Sequence, residues 1–202
     1  MSHAIGPREF DEALSPEVLL AAYRAGIFPM GEEETDEICW FMPDPRAIIP
    51  LERFHVPRRL RRTIRGNRFG VTYNRAFAEV VEGCAGARPV WITDRMRKPY
   101  MRLHEIGHAH SVEVWRGGEL VGGLYGVQVG AAFMAESKFH RARDASKVAL
   151  VKLVERLVER GFQILEVQYL TDHLRSFGAV EVALAEYLDR LRSAKRVPCR
   201  FD

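Results

Sequence analysis

In the first half of the chain apolar residues recur at helical spacing. Leu19, Leu20 and Tyr23 form a stripe behind Ser15-Pro16-Glu17, which supplies an N-cap, a proline in the first turn and an acid beside it, and Gly26 closes the helix. From Phe28-Pro29 through Pro43-Asp44-Pro45 to Pro50 the chain is aromatic and proline-rich, which predicts irregular structure. Val56, Leu60 and Ile64 then recur every fourth position between Pro57 and Gly66, a short helix with one apolar stripe. Two more helices are expected, from about Asn74 to Cys84 and from about Asp94 to Ile106. The second turns Met96, Tyr100, Leu103 and Ile106 inward, and Pro99 should break or kink it.

From His110 the period falls to two. His110 to Trp115, Leu120 to Val127 and Ala131 to Ser137 read as three strands of an antiparallel meander, joined by turns at Arg116–Glu119 and Gln128–Gly130. Asp144 or Ser146 caps a long helix whose Leu150, Val151, Val154, Leu157 and Val158 face a core, and Gly161 ends it. A strand from Phe162 to Tyr169, a short helical piece, a strand at Ala179 to Val182 and a helix to about Arg192 complete the chain. Helices and strands are mixed after an antiparallel start, so the class is α+β or mixed α/β, with α+β expected. A soft boundary near Pro50 separates a small N-terminal domain, 1–50, from a larger one, 51–202.

Composition changes little in this picture. Hydrophobic residues make up 47% and charged residues 28%, which excludes disorder. No apolar run approaches the roughly 20 residues of a membrane span, and Met1 to Glu9 lacks the pattern of a signal peptide, so a cytoplasmic protein without membrane partners is expected. Cys39, Cys84 and Cys199 have no metal-knuckle spacing. Charge matters more through its placement than through its total of +3. Between Arg53 and Ala78 stand eight arginines and no acid, including Arg58, Arg59, Arg61, Arg62 and Arg65 on the short helix. Such a run is either a solvated face or a surface for an anionic partner, phosphate backbones first.

Three features carry candidate chemistry. His104-Glu105-Ile106-Gly107-His108 has the letters of a zinc-protease motif, but Gly107 should end the helix and remove the second histidine from the face of the first; capping of carbonyls is expected instead, with no metal. In the strand from Phe162, Glu166 and Gln168 share a face with Phe162 and Ile164, and Glu136 is an acid ending an apolar run. Each acid either pairs with a local arginine or amide, or the two line a pocket for a cation or an amine. Trp91, before a helix start, is either core or a stacking platform for a base.

Several strings identify a family. Ala22-Tyr23-Arg24-Ala25-Gly26-Ile27-Phe28-Pro29, Pro43-Asp44-Pro45-Arg46, Trp91-Ile92-Thr93, the segment from Leu103 to Glu113, Gly122-Gly123-Leu124-Tyr125-Gly126, Glu136-Ser137, Ala145-Ser146-Lys147 and Asp172-His173-Leu174 resemble leucyl/phenylalanyl-tRNA–protein transferases, in order from about Ser15 to Leu191. The resemblance implies a small N-terminal domain before a GNAT-like acyltransferase domain with a mixed, mainly antiparallel sheet. It implies a monomer that moves leucine or phenylalanine from aminoacyl-tRNA to proteins beginning with Arg or Lys, marking them for degradation, without a cofactor. Carried over residue by residue, Glu166 and Gln168 become the reaction-site pair, Glu166 accepting a proton and Gln168 orienting substrate. Glu136 would help hold the cationic acceptor, Trp91 would meet the terminal adenosine, and Tyr23, Phe133 and Ser137 would lie along the substrates. Arg58, Arg59, Arg61, Arg62 and Arg65 would track acceptor-stem phosphates.

Three positions depart from the family pattern. Glu166 stands for an aspartate, Lys138 for an apolar residue and Met30 for a tryptophan. A lysine there either turns outward or changes the amino acid transferred. Two other functions would fit parts of the sequence. An acyl-CoA N-acyltransferase would need a glycine-rich pyrophosphate loop where Asp144-Ala145-Ser146-Lys147 stands, and an RNA-binding module would leave Glu136, Glu166 and Gln168 without a task.

Overall fold

A computed structural model describes residues 4–5, 14–32, 34–35, 37–86 and 92–202, so Trp91 lies outside the described residues. Helix α1, Pro16–Arg24, begins where Ser15 Oγ accepts from the Val18 N–H at 3.3 Å. It ends where Gly26, at φ +80°, turns the chain into the next strand. The stretch expected to be irregular contains three strands. β2, Phe28–Gly31, and β3, Ile38–Phe41, form a small antiparallel sheet with β1, Ala4–Ile5, in the order β1-β3-β2. Pro29 is tolerated because β2 is an edge, where one N–H fewer breaks no ladder. β4, Arg46–Ile49, is buried at all four positions, so it shows no alternation for a period-two pattern to reveal.

β4 belongs to the second sheet, of seven strands in the order β10-β4-β9-β8-β7-β6-β5. The sheet change therefore falls at residues 42–45, a little before the boundary placed at residue 50. β5, Gly70–Tyr73, is an unforeseen edge strand hidden behind the arginine helix. The meander is β6, Ala109–Arg116, β7, Glu119–Val129, and β8, Ala132–His140. β9, Ile164–Glu166, and β10, Val180–Val182, complete the sheet. Every pairing in it is antiparallel except β8 with β9. The class is α+β with a mixed, mainly antiparallel sheet.

Helices cover both faces. On one, α1 joins α3, Phe77–Ala85, α4, Asp94–Glu105, and α7, Leu184–Ala194, over a core that includes Tyr23, Phe77, Met96, Tyr100 and Tyr187. On the other, α2, Arg58–Arg65, α5, Ala145–Glu159, and α6, Asp172–Arg175, pack Leu60, Leu150, Leu157 and Leu174 with Phe133 and Phe201. Three expectations change. α4 runs through Pro99, because Met96, Tyr100 and Leu103 are fully buried around it and hold the helix against one missing backbone bond. Ile106, expected inward, follows the helix end and is 43% exposed. Val158 lies on the outer side of the last turn of α5 and is 55% exposed.

Candidate active site

The sheet opens at its one parallel junction. β8 and β9 pair at Ala132–Ile164, Phe133–Leu165 and Met134–Glu166, and there the pairing stops. Beyond it Ala135 to Lys138 on one side and Val167 and Gln168 on the other border a gap. Two local irregularities aim side chains into that gap. In β8 the register against β7 jumps from Gly126–Ala135 to Tyr125–Ser137, so Glu136 is the extra residue of a β-bulge. Gln168 takes a left-handed backbone, φ +55°, which ends β9 three residues after it starts and overturns the expected strand to Tyr169 with its shared face for Glu166 and Gln168.

The two irregularities bring Glu136 and Gln168 together. Gln168 Nε2 donates to Glu136 Oε1 at 3.2 Å, and Tyr100 Oη donates to Glu136 Oε2 at 3.3 Å. Behind Tyr100 the hydroxyl of Tyr23 lies 2.8 Å away. Burial, and then the nearby Glu166 carboxyl, push the Glu136 pKa up to about 8. Glu136 therefore carries a proton through much of the neutral range.

Glu166 sits beneath this pair, 1% exposed. Its Oε1 lies 2.8 Å from Arg46 Nε and accepts the Gln168 backbone N–H at 2.6 Å, so Glu166 fixes the turn that presents the Gln168 side chain. Burial pushes its carboxyl up, against Arg46 and the Gln168 N–H. Arg46 is equally buried. It donates to the Gly26 carbonyl at 2.7 Å and lies 4.9 Å from the Phe28 ring and 4.8 Å from the Tyr187 ring. Burial works against its charge, and the Glu166 carboxylate more than restores it.

Two cavities meet at Glu136 and Gln168. One, of about 130 Å³, is walled by Leu124, Ala135, Ser137, Lys138, Leu150, Val167 and Leu174. The other, of about 140 Å³, is walled by Phe28, Met30 and Tyr169. Both share Glu136 and Gln168, so a reacting atom between these two side chains is reachable from two directions.

Of the residues singled out from the sequence, Glu136, Ser137 and Gln168 line the gap, and Glu166 supports it from below. Tyr23 lies behind Tyr100, and the hydroxyls of both act on the Glu136 carboxyl, opposing the rise that burial causes. Phe133 is fully buried, its ring 5.5 Å from Phe201 and 6.3 Å from Phe162, and it borders neither cavity. Arg58, Arg59, Arg61, Arg62 and Arg65 are exposed along α2, with Arg61 Nε donating to the Val56 carbonyl. Arg59 and Arg62 wall a groove of about 480 Å³ together with Arg68, Arg116 and Arg143. Its one acid, Asp144, is tied to Lys147 at 2.8 Å. The histidines are occupied with backbone: His104 Nδ1 is 2.8 Å from the Ala109 carbonyl and His108 Nδ1 3.3 Å from that of Gln128.

Arg46, Tyr100, Arg116 and Arg143 were not foreseen. Arg46 had a signal, a lone charge before the apolar Ala47-Ile48-Ile49. The other three are brought in by tertiary contacts, which no local pattern encodes.

The sequence profile described as Leucyl/phenylalanyl-tRNA protein transferase matches residues 48–192, and that of the corresponding N-terminal domain matches residues 12–44. A leucyl/phenylalanyl-tRNA–protein transferase of Rhodopseudomonas palustris (strain HaA2) is 54% identical over 194 residues, 94% of this chain and 87% of that protein. One from Gloeobacter violaceus is 48% identical over 188 residues, 93% of this chain and 97% of that protein. Among solved structures, a ribosomal-protein-alanine N-acetyltransferase from Brucella melitensis biovar Abortus 2308 overlaps 53% of this chain and 85% of its own at a TM-score of 0.39 and 14% identity.

Proposed function

The chain belongs to the leucyl/phenylalanyl-tRNA protein transferase family, and from that premise we propose that it transfers an aminoacyl group, leucyl or phenylalanyl as in the names of its relatives, from charged tRNA to the N-terminal amine of proteins beginning with Arg or Lys. It would do so in the cytoplasm as a monomer, committing the acceptor to degradation. The observation that carries this proposal is the Glu136–Gln168 pair standing between two cavities that both side chains line.

In this reaction the acceptor's α-nitrogen attacks the ester carbonyl carbon, and the C–O bond to the ribose oxygen breaks. The nitrogen must lose a proton as the tetrahedral intermediate forms. An α-amine has an ordinary pKa of roughly 8, and Glu136 is pushed up to about 8. The ionised form of Glu136, the minor form at neutral pH, takes the proton from the nitrogen and returns it to the departing ribose oxygen. Gln168 Nε2, bonded to Glu136, orients the reacting groups, and its position depends on Glu166 and so on Arg46. Glu166 thus contributes as the carboxylate that holds Gln168, while the carboxyl facing both cavities is Glu136. The aliphatic cavity suits an aminoacyl side chain, and the aromatic one, with Phe28 and Tyr169, suits the terminal base. Arginines of α2, joined by Arg116 and Arg143, form the surface proposed for acceptor-stem phosphates.

An acyl-CoA donor fits less well. The start of α5, where a helix N-terminus would receive a pyrophosphate, carries the Asp144 carboxylate instead. The decisive experiment incubates the protein with labelled aminoacyl-tRNAs and a peptide starting with Arg or Lys, without CoA. Label is expected on the peptide; label that stays on every tRNA refutes the proposal.

A further inference from the structure

Behind Glu136 stand two tyrosines that border neither cavity. Tyr100, on α4, and Tyr23, on α1, are 0% and 2% exposed. Tyr100 Oη meets Glu136 Oε2 at 3.3 Å, and Tyr23 Oη meets Tyr100 Oη at 2.8 Å. The direction of both bonds follows from what each group can donate. An ionised carboxylate only accepts, so Tyr100 gives its single proton to Glu136, and Tyr23 then gives its own to the Tyr100 oxygen. Both hydroxyls therefore point at the ionised carboxylate. From the other side Gln168 Nε2 donates to Oε1 at 3.2 Å, so the plane of the carboxyl is set from both of its oxygens. Packing holds the tyrosines in place: the Tyr100 ring meets the Tyr125 ring edge-on at 5.3 Å, and Tyr125 meets Phe77 in the same way at 5.9 Å.

The remaining groups around Glu136 do not do this work. Glu166, on β9, adds to the rise that burial causes, and Arg46, on β4, opposes it less than either tyrosine. Tyr125, on β7, and Tyr187, on α7, are buried neutral phenols whose own pKa values the Glu136 charge helps to raise. Cys84, on α3, is pushed up to about 12 by burial and stays a neutral thiol. Lys138, further along β8, opens into the aliphatic cavity. With Glu136 at about 8, roughly one carboxyl in ten is ionised at pH 7. A hydroxyl that favours the ionised form acts directly on the amount of base present.

We propose that Tyr100, backed by Tyr23, is a positioning residue for the transfer reaction: its hydroxyl fixes the Glu136 carboxyl against Gln168 and favours the ionised form that takes the proton from the acceptor nitrogen. The inference rests on Glu136 being the base, as proposed above, and adds two residues that act through it. The proton passes from nitrogen to Glu136 and on to the departing ribose oxygen. Both tyrosines keep their own protons, because burial holds their hydroxyls well above the usual phenol range.

The test compares the full-length protein with Tyr100→Phe, Tyr23→Phe and Tyr125→Phe. Tyr125 is the control, fully buried in the same cluster but with a hydroxyl that makes no hydrogen bond to a described residue. The protonated Glu136 carboxyl is titrated without substrates through its infrared C=O stretch, the band missing from Glu136→Gln. Transfer from leucyl-tRNA to an Arg-starting peptide is followed from about pH 6 to 9, with ester hydrolysis subtracted. In Tyr100→Phe the titration should move up by about one pH unit, and transfer at pH 7 should fall about tenfold with the KM for the donor unchanged. The ratio of variant to unaltered protein should climb toward one as pH rises, because the acceptor amine titrates alike in both. Tyr23→Phe should shift both readings in the same direction, and Tyr125→Phe neither. An unmoved titration in Tyr100→Phe, an equal shift in Tyr125→Phe, or a loss of transfer that is the same at every pH overturns the assignment. A titration that moves while transfer does not takes Glu136 out of the reaction and overturns the mechanism above along with this role. Absence of transfer by the unaltered protein refutes the function itself. If Tyr100→Phe does not fold, Tyr23→Phe decides the question by the same two readings.

Discussion

Arg46→Met probes the support beneath the Glu136–Gln168 pair. The guanidinium and the Glu166 carboxylate, 2.8 Å apart, attract by about 6 kcal/mol at an effective dielectric near 20. Stripping water from two charges offsets most of that, so the intact pair contributes little net stability. Removing one member is different. Glu166, 1% exposed, is left as an uncompensated buried charge, at a cost of about 3–5 kcal/mol. Loss of the bond to the Gly26 carbonyl and of the contacts with Phe28 and Tyr187 adds about 1–2 kcal/mol. Urea unfolding followed by circular dichroism at neutral pH should show Arg46→Met less stable by roughly 4–7 kcal/mol. Adding Glu166→Gln to the variant removes the stranded charge and should restore about 2 kcal/mol or more. A loss under about 1 kcal/mol for Arg46→Met, or a double variant no more stable than the single one, would refute the account of a buried, mutually dependent pair.

Other outcomes follow from the same geometry. Glu136 is ordinarily near 4.5 and is raised to about 8 when folded, so its stabilising contribution is complete below pH 4.5 and fades as pH rises through 8; unfolding at pH 5, 7 and 9 should show the wild type losing up to ~5 kcal/mol relative to Glu136→Gln, and parallel curves would contradict the raised value. Glu166→Gln should lower turnover far more than tRNA affinity, because it loosens Gln168 without touching the arginine groove; single-turnover transfer set against filter binding separates the two. Arg59→Ala with Arg62→Ala, and Arg116→Ala with Arg143→Ala, should each flatten the salt dependence of tRNA binding by about 1–2 in log–log slope, and an unchanged slope in the second pair would confine binding to α2. Gly126→Ala sets a methyl against the Met134 carbonyl and the Phe133 ring; a destabilisation of about 1–3 kcal/mol is expected, read as a fall in Tm of several degrees.

What the sequence disclosed depended on how local the cause was. α1 was readable because stripe, cap and closing glycine all lie close together, and α5 because of its stripe and Gly161, although the expected side-chain cap from Asp144 or Ser146 is not made. The meander was readable because two of its turns fall at glycines between alternating runs. β4 and β5 were not: one is buried throughout and the other is a short edge strand defined only by its partner β6. The site divides along the same line. Glu136, Glu166 and Gln168 stood out as polar residues among apolar ones. Their division of labour did not, since it turns on a bulge and a left-handed residue that put Glu136 in the gap and Glu166 under it. Phe133, similar in character to a pocket residue, is taken up by Phe162 and Phe201 from a distant part of the chain.

The position of β4 also sets the order in which the molecule can be built. Its neighbours in the sheet are β9 and β10, each more than a hundred residues further along the chain. During synthesis from the N-terminus, β4 emerges early, with Gly26 and Phe28 available to Arg46, but without a strand to pair with until α5 and then β9 have been made. The α3, α4 and β5–β8 portion can assemble in the meantime from contacts much closer in sequence, at a smaller loss of chain entropy. Insertion of β4 beside β9 then brings Arg46 to Glu166 and fixes Gln168. The proposed site is thus completed only when β9 joins β4, so a chain lacking the residues beyond β8 would lack Glu166 and Gln168 and is expected to transfer nothing.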